Sequence, residues 1–208
     1  MGLESLQSKT VAILGYGNQG RAHALNLRDS GVSVLVGARA EGKGWKQAQA
    51  DGFPPLSFAE AAAQAHVIAF LLPDQIIAPV FRDLAPVLEK ETKWIGFAHG
   101  FAYYFGGVPQ LPNCGYFLAA PKGAGALLRA RFEAGQGLPT VFAVANGSCE
   151  ATRKIAEAYA RAIAGKTPFI RETTFQLETE GDLFGEQVVL VGGILELMRS
   201  AFETLVRN

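Results

Sequence analysis

The sequence predicts an α/β fold: a doubly wound, mainly parallel sheet with a C-terminal helical extension. Three observations predict it. Short apolar runs rich in Val, Ile and Phe alternate with longer stretches of helical period, the pattern of βα units packed on both faces of a parallel sheet. A glycine-rich turn, Gly15-Tyr16-Gly17-Asn18-Gln19-Gly20, joins the first strand to the first helix. The residues 182–207 then read as a single long helix with no strand after it. The composition fits: 49% of the 208 residues are hydrophobic and 18% charged, enough apolar surface for a core and too little charge for a disordered chain. The 24 glycines exceed the usual ~7%, so their placement matters.

The elements follow in order. Thr10–Leu14 is a buried strand, followed by a helix over 19–28, and Gly31 closes that unit. A strand covers 32–36 and a helix 45–50. Ser57 caps a helix over 58–65, with Glu60 three residues on as its capping-box partner. The strand 67–72 stops at Pro73, and the helix 76–88 accommodates Pro79 in its first turn. Further strands cover 93–97, 116–119 and 140–144, and Ser148 caps a helix through Ile163. The aromatic and glycine-rich stretch 98–115 lacks periodicity and reads as a long functional loop. In the tail helix apolar residues cover nearly the whole circumference, with Gly192-Gly193 as a weak point. A helix of that kind is buried by protein, so the chain is expected to form a homo-oligomer through 182–207.

Other classes are excluded by composition. A net charge of zero does not suit a general nucleic-acid binder, which must neutralise phosphate. No apolar run reaches the ~20 residues of a membrane span, and the first residues lack a signal peptide's basic and apolar regions. Two cysteines, Cys114 and Cys149, give neither a disulfide framework nor metal spacing. These features together predict a cytoplasmic protein.

The glycine-rich turn is a G-x-G-x-x-G in the Rossmann-like context of strand, turn and helix. Gly15 permits the tight turn, Gly17 lets a pyrophosphate approach the backbone, and Gly20 allows close helix–strand packing. The phosphates would meet free amides at the helix N-terminus. Nineteen residues after Gly20, where an acidic residue would select NAD, stands Arg39. Arginine stacks on adenine and pairs with a 2′-phosphate, and Lys43 adds a second charge, which favours NADP. Glu41 would repel that phosphate and suits a bare ribose, so NAD stays open.

Asp182 and Glu186 lie four apart, on one face of a helix. Two readings stand side by side. A hard cation such as Mg²⁺ would resolve their mutual repulsion, or the pair is an acidic helix start favoured by the macrodipole. His99 follows the strand 93–97, at the carboxyl edge where parallel sheets bind ligands, although single histidines also serve structure. Lys122, between Pro121 and Gly123-Ala124-Gly125, follows another strand and is either a surface lysine or a ligand contact. Asp74, after Leu72-Pro73, is either a helix cap or a second edge residue.

The stretches GYGNQGRAHALNLRDSG, FLLPDQ, FAHGF, AAPKGAG, ETTFQLETEGDLFGEQ and GGILELMRSAFETLV, in this order, resemble ketol-acid reductoisomerase, also called acetohydroxyacid isomeroreductase. The resemblance runs from Thr10 to Val206. It implies an NADPH-dependent enzyme of valine, leucine and isoleucine synthesis. Such an enzyme shifts an alkyl group of a 2-acetohydroxy acid with Mg²⁺ and then reduces the product by hydride transfer. By position, Tyr16, Gly17, Asn18 and Gln19 hold the pyrophosphate, and Arg39, Gly42 and Gly44 read the adenosine 2′ position. Asp74, Gln75, Ile76, Ile77 and Gly125 border the cofactor. His99 and Lys122 match active-site residues, and Asp182 and Glu186 match metal ligands.

The sequence also departs from the family. Gly42 and Gly44 stand where serines are common, Ala126 where histidine is common, and Ala102-Tyr103-Tyr104 where Asn-Ile-His is usual. The family continues into a helical domain that supplies further metal ligands. The expected division is therefore 1–180 as the dinucleotide-binding domain and 181–208 as the first helix of that second domain. The expectation for the chain alone is cofactor binding with weak or no turnover. The alternative is a non-catalytic dinucleotide-binding module, or a degenerate paralogue lacking half the metal site.

Overall fold

Alternation along the first strand, β1 (Thr10–Leu14), divides the protein into two cores. Val11 and Ile13 face one side and Ala12 and Leu14 the other, and all four are buried. This is what a strand buried on both faces of a parallel sheet requires. The computed structural model describes residues 2–145, 148–167 and 169–207. After a short N-terminal helix, α1 (Glu4–Gln7), the chain runs β1, α2 (Asn18–Asp29), β2 (Ser33–Gly37), α3 (Lys43–Ala50) and α4 (Phe58–Gln64). It continues through β3 (Val67–Phe70), α5 (Asp74–Leu88), β4 (Lys93–Phe97), α6 (Phe101–Tyr104), β5 (Cys114–Pro121) and α7 (Gly125–Glu133). Then come β6 (Thr140–Val144), α8 (Glu150–Ala164), β7 (Ile170–Glu172), α9 (Phe175–Phe184), a π-helical segment Gly185–Leu190 and α10 (Gly193–Arg207).

The seven strands are ordered β2-β1-β3-β4-β5-β6-β7. All pairs are parallel except β5/β6, where Phe117 faces Val144 and Pro121 faces Thr140. The predicted Rossmann-like, mainly parallel sheet is thus present. One face is covered by α2 and α8, around Ile13, Phe117 and Tyr159, and the other by α4 and α5, around Leu14, Phe70 and Phe81. On the first face polar ties add to the packing. Asn26 Nδ2 donates to the Ile163 carbonyl at 2.8 Å, and His23 Nδ1 lies 3.0 Å from the Tyr159 hydroxyl.

Local chemistry explains most boundaries. The Ser57–Glu60 capping box forms as expected, with Glu60 N–H donating to Ser57 Oγ and Ser57 N–H to Glu60 Oε2. Elsewhere the structure corrects the sequence reading. Helix α5 starts at Asp74, so Pro79 lies in the second turn, and Pro86 is interior too. An interior proline costs about 3 kcal/mol; the buried stripe Ile77, Phe81, Leu84 and Leu88 offsets this at roughly 1.5–3 kcal/mol per side chain. Cys149, not Ser148, is the N-cap of α8, because Cys149 is the extended residue next to the first turn. The stretch 98–115 contains α6, and β7, a strand the sequence reading omitted, pairs with β6.

The expected single helix over 182–207 is three segments. α9 begins at Phe175, the Gly185–Leu190 segment widens to a π-helix, and turn residues precede α10. A Cβ on Gly192 or Gly193 would strike the carbonyl oxygen of Gln187 or Val188, so only bare backbone closes this wide turn. The break also separates the apolar residues. In α10 alone, Leu195, Met198, Phe202 and Leu205 form one stripe, beside a charged stripe of Glu196, Arg199, Glu203 and Arg207 linked by ion pairs. None of the α10 residues is buried within the chain. The expected division at 180/181 falls inside α9. Among the described residues no helix is long and apolar enough to cross a membrane.

Candidate active site at the carboxyl edge of the sheet

The glycine-rich turn leaves β1 at Leu14 and enters α2 at Asn18. Gly15 has φ +99°, and a Cβ there would lie 2.5 Å from the Leu71 carbonyl oxygen. A Cβ on Gly20 would strike the Gly15 carbonyl, so these two glycines let the helix start directly above the strand. Gly17 faces open space, with nothing within 4 Å of its Cβ position. The first amides of α2 lack helical partners, which makes this an anion-binding corner. The Tyr16 ring turns away from it. Its hydroxyl donates to Asp51 Oδ2 at 3.0 Å and its ring packs edge-on against Phe53, so only the backbone of Tyr16 belongs to the turn. Burial, then the Asp51 carboxylate, pushes its hydroxyl pKa up.

Two neighbouring segments close around the turn. Gln19 Nε2 donates to the Gly123 carbonyl at 3.0 Å, while Gln19 Oε1 is buried without a partner. A Cβ on Gly125, at the start of α7, would strike the Asn18 carbonyl. On the other side Gly44 sits against Tyr16, 3.2 Å from its carbonyl oxygen to a built Cβ. Gly42 is the N-cap of α3. Arg39 is exposed beyond the end of β2, and its guanidinium has no ion-pair partner among the described residues. Glu41, at φ +58°, is exposed in the same loop.

Past β3, Asp74 is the first residue of α5 and makes no capping bond. It lines the main cleft, where burial raises its pKa. Gln75 and Ile76 are exposed beside it, but Ile77 is buried in the core and serves packing.

The main cleft, of about 880 Å³, is lined by Gln19, Asp74, His99, Lys122, Glu178 and Asp182, among others. His99 follows β4, Lys122 follows β5, and α9 supplies the two carboxylates. Lys122 Nζ donates to Glu178 Oε1 at 2.8 Å and to Asp182 Oδ1 at 3.1 Å. His99 Nδ1 lies 3.4 Å from Glu178 Oε2 and 3.3 Å from Asp182 Oδ2. These are charge attractions, not directed hydrogen bonds: His99 Nδ1 and Glu178 Oε2 are both buried without a hydrogen-bond partner.

The charges in the cleft set one another. The Glu178 carboxylate raises the His99 pKa against the effect of burial, with Asp182 and Asp74 adding to the rise. Burial opposes the charge of Lys122, yet Glu178 and Asp182 outweigh it and raise its pKa. Burial would raise Glu178, but His99 and Lys122 hold it below the ordinary carboxylate value.

The ligand atoms of His99, Glu178 and Asp182 lie within 4.8 Å of one another. Glu186 lines the same cleft at the start of the π-helical segment, outside that group. The structure thus brings together His99, Lys122 and Asp182, and adds Glu178, which the sequence reading left without a role. Its signal was available: Glu178 and Asp182 have the same spacing of four as Asp182 and Glu186.

This arrangement agrees with what the chain is similar to. Residues 5–168 match the family model of acetohydroxy acid isomeroreductase, NADPH-binding domain, and residues 175–208 match that of ketol-acid reductoisomerase, C-terminal domain. A solved NADH-preferring ketol-acid reductoisomerase from an uncultured archean is 37% identical, with a TM-score of 0.92 over 98% of this chain. The present chain spans 63% of that protein's length. A semialdehyde dehydrogenase NAD-binding protein from Cupriavidus necator matches at 23% identity and TM-score 0.75, over 96% of this chain and 75% of its own. Plasmodium falciparum pyrroline carboxylate reductase matches at 12% and 0.63, over 98% and 71%. These last two share the fold alone. The phosphate turn, the edge residues and both matched regions lead to one conclusion: the chain belongs to the ketol-acid reductoisomerase (acetohydroxy acid isomeroreductase) family.

Proposed function

We propose that this chain carries the cofactor site and metal-site residues of a ketol-acid reductoisomerase. The reaction is Mg²⁺-dependent alkyl migration in a 2-acetohydroxy acid, followed by NAD(P)H-dependent reduction, in branched-chain amino acid synthesis. The observation that supports it best is convergence. The phosphate turn touches the Lys122 segment through Gln19 and Gly123, and the same cleft holds His99, Lys122, Glu178 and Asp182. A dinucleotide bound at the turn would therefore lie next to the charge cluster.

The residues present fit both groups. The open backbone at Gly17 and the free amides of α2 suit a pyrophosphate. Arg39, with Lys43 at the start of α3, suits a 2′-phosphate, so NADPH is the preferred cofactor in this reading. The orphaned Glu178 Oε2 and the converging carboxylates suit a hard divalent cation. Asp182 and Glu186 would hold Mg²⁺, with Glu178 beside them. A cation held there would supply Lewis-acid polarisation of the substrate's oxygens. The cofactor supplies the hydride.

This chain's own groups do the rest. Lys122 keeps positive charge where oxygen charge develops. His99 holds a proton at Nδ1 between Glu178 and Asp182, and Gln19 keeps the phosphate turn against the Lys122 segment. We read 1–180 as the cofactor unit and 181–208 as the start of a helical unit, with α9 bridging them. The test is titration with NADPH and NADH, with and without Mg²⁺, followed by turnover of 2-acetolactate. NADPH binding is expected. Failure to bind either nucleotide would overturn the reading.

A further inference from the structure

The charge cluster joins segments far apart in sequence, and within it only Lys122 makes hydrogen bonds to α9, to Glu178 and Asp182. His99 comes from the end of β4 and Glu178 and Asp182 from α9, yet the contacts from His99 are attractions of 3.3–3.4 Å without hydrogen-bond geometry. A further attachment lies next to the cluster, where α6, just after His99, packs on α9. Three contacts act there. A Cβ on Gly100 would strike Thr179 Oγ1, so glycine allows the backbone after His99 to lie directly on α9. The Tyr103 ring packs on Phe175 with centroids 4.4 Å apart. The Tyr104 hydroxyl donates to Glu180 Oε1 at 3.0 Å, and Gln176 Nε2 donates to the same oxygen at 3.2 Å.

On a helix of 3.6 residues per turn, Glu180 lies about 200° from Glu178 and about 200° from Asp182. Phe175 and Thr179 lie within about 60° of Asp182 on the buried side of α9, so the three contacts hold the helix from both sides and fix its rotation. They also hold a further carboxylate, that of Glu180, away from the cleft.

We propose that Tyr104 is a positioning residue: with Tyr103 and Gly100 it clamps α9 in the rotation that presents Glu178 and Asp182 together to His99 and to a divalent cation. This rests on the proposed reading of the cluster as a cation site.

The test uses the full chain and Mn²⁺ as the probe, with free Mn²⁺ counted by electron paramagnetic resonance. Tyr104→Phe, which removes only the hydroxyl, is expected to weaken Mn²⁺ binding roughly three- to tenfold. NADPH affinity and melting temperature should be unchanged. Glu180→Gln, which keeps a carbonyl acceptor for the hydroxyl, should bind Mn²⁺ as the parent does. If Tyr104→Phe binds Mn²⁺ normally, or loses NADPH affinity and stability in parallel, the positioning role is overturned while the cation site stands. If the parent chain binds no Mn²⁺, both the clamp and the cation site are overturned, whatever the nucleotide titration gives.

Discussion

Lys122 reaches across the cleft to Glu178, Nζ to Oε1 at 2.8 Å, and acts as the built-in counter-charge of a carboxylate whose side chain is 1% exposed. A buried carboxylate left alone is costly, because nothing replaces the water it has lost. Lys122 is itself 39% exposed, so solvent screening reduces what the pair contributes.

Replacing Lys122 by Met is therefore expected to destabilise the protein at neutral pH by about 1–3 kcal/mol, read from urea unfolding. The deficit should shrink in acid. Glu178 titrates below its ordinary value when folded, so its contribution is present above the ordinary carboxylate pKa. It is lost as the pH falls through the lower folded value. A deficit that stays constant down to pH 3 would argue against the pairing.

A second acid-sensitive element lies in the core. His23 is fully buried between α2 and α8, and burial lowers its pKa to about 3. The unfolded chain takes up this proton near pH 6.5, whereas the folded protein does not until about pH 3. Its contribution to stability is therefore complete above pH 6.5 and falls by up to about 1.4 kcal/mol per pH unit below it. His23→Leu combined with Tyr159→Phe removes the titrating group without orphaning the tyrosine hydroxyl. The double variant should show a flatter decline in the urea midpoint between pH 6.5 and 3. An unchanged slope would place the acid sensitivity elsewhere.

The loop after β2 carries the cofactor preference in the proposed reading. Arg39→Gln is expected to weaken NADPH roughly 10- to 100-fold, the worth of a charged hydrogen bond, with NADH little affected. Fluorescence titration of both nucleotides measures this. Equal losses for the two would remove Arg39 from the 2′ site.

The apolar stripe of α10 is uncovered among the described residues: Leu195 is 60% and Phe202 67% exposed. The protein is expected to sediment as a dimer or larger homo-oligomer at micromolar concentration. Phe202→Glu is expected to shift it towards the monomer without changing NADPH binding. A monomeric parent protein would refute the interface.

The two halves of the site were legible to different degrees, and particular residues show why. The strand–turn–helix around Gly15, Gly17 and Gly20 was readable because it depends on local backbone sterics, and local sterics follow from neighbouring residue types. His99 and Lys122 were readable as edge residues because each directly follows an apolar strand. Glu178 was passed over because its importance depends on which side of α9 faces His99, and neighbours in sequence do not decide that. The direction of the Tyr16 ring was not legible either, because its partners, Asp51 and Phe53, come from a separate segment.

By itself, then, the sequence determined the order of strands β1 to β6, the phosphate turn and the family. Each depends on periodicity or on motifs read along the chain. Only the tertiary structure decided the antiparallel β6, the breaking of the tail into α9, a π-helical segment and α10, and the meeting of His99 with Glu178. These depend on which surfaces pack together. That choice is made by burial and charge between residues distant in sequence, such as Tyr103 against Phe175 and Lys122 against Glu178.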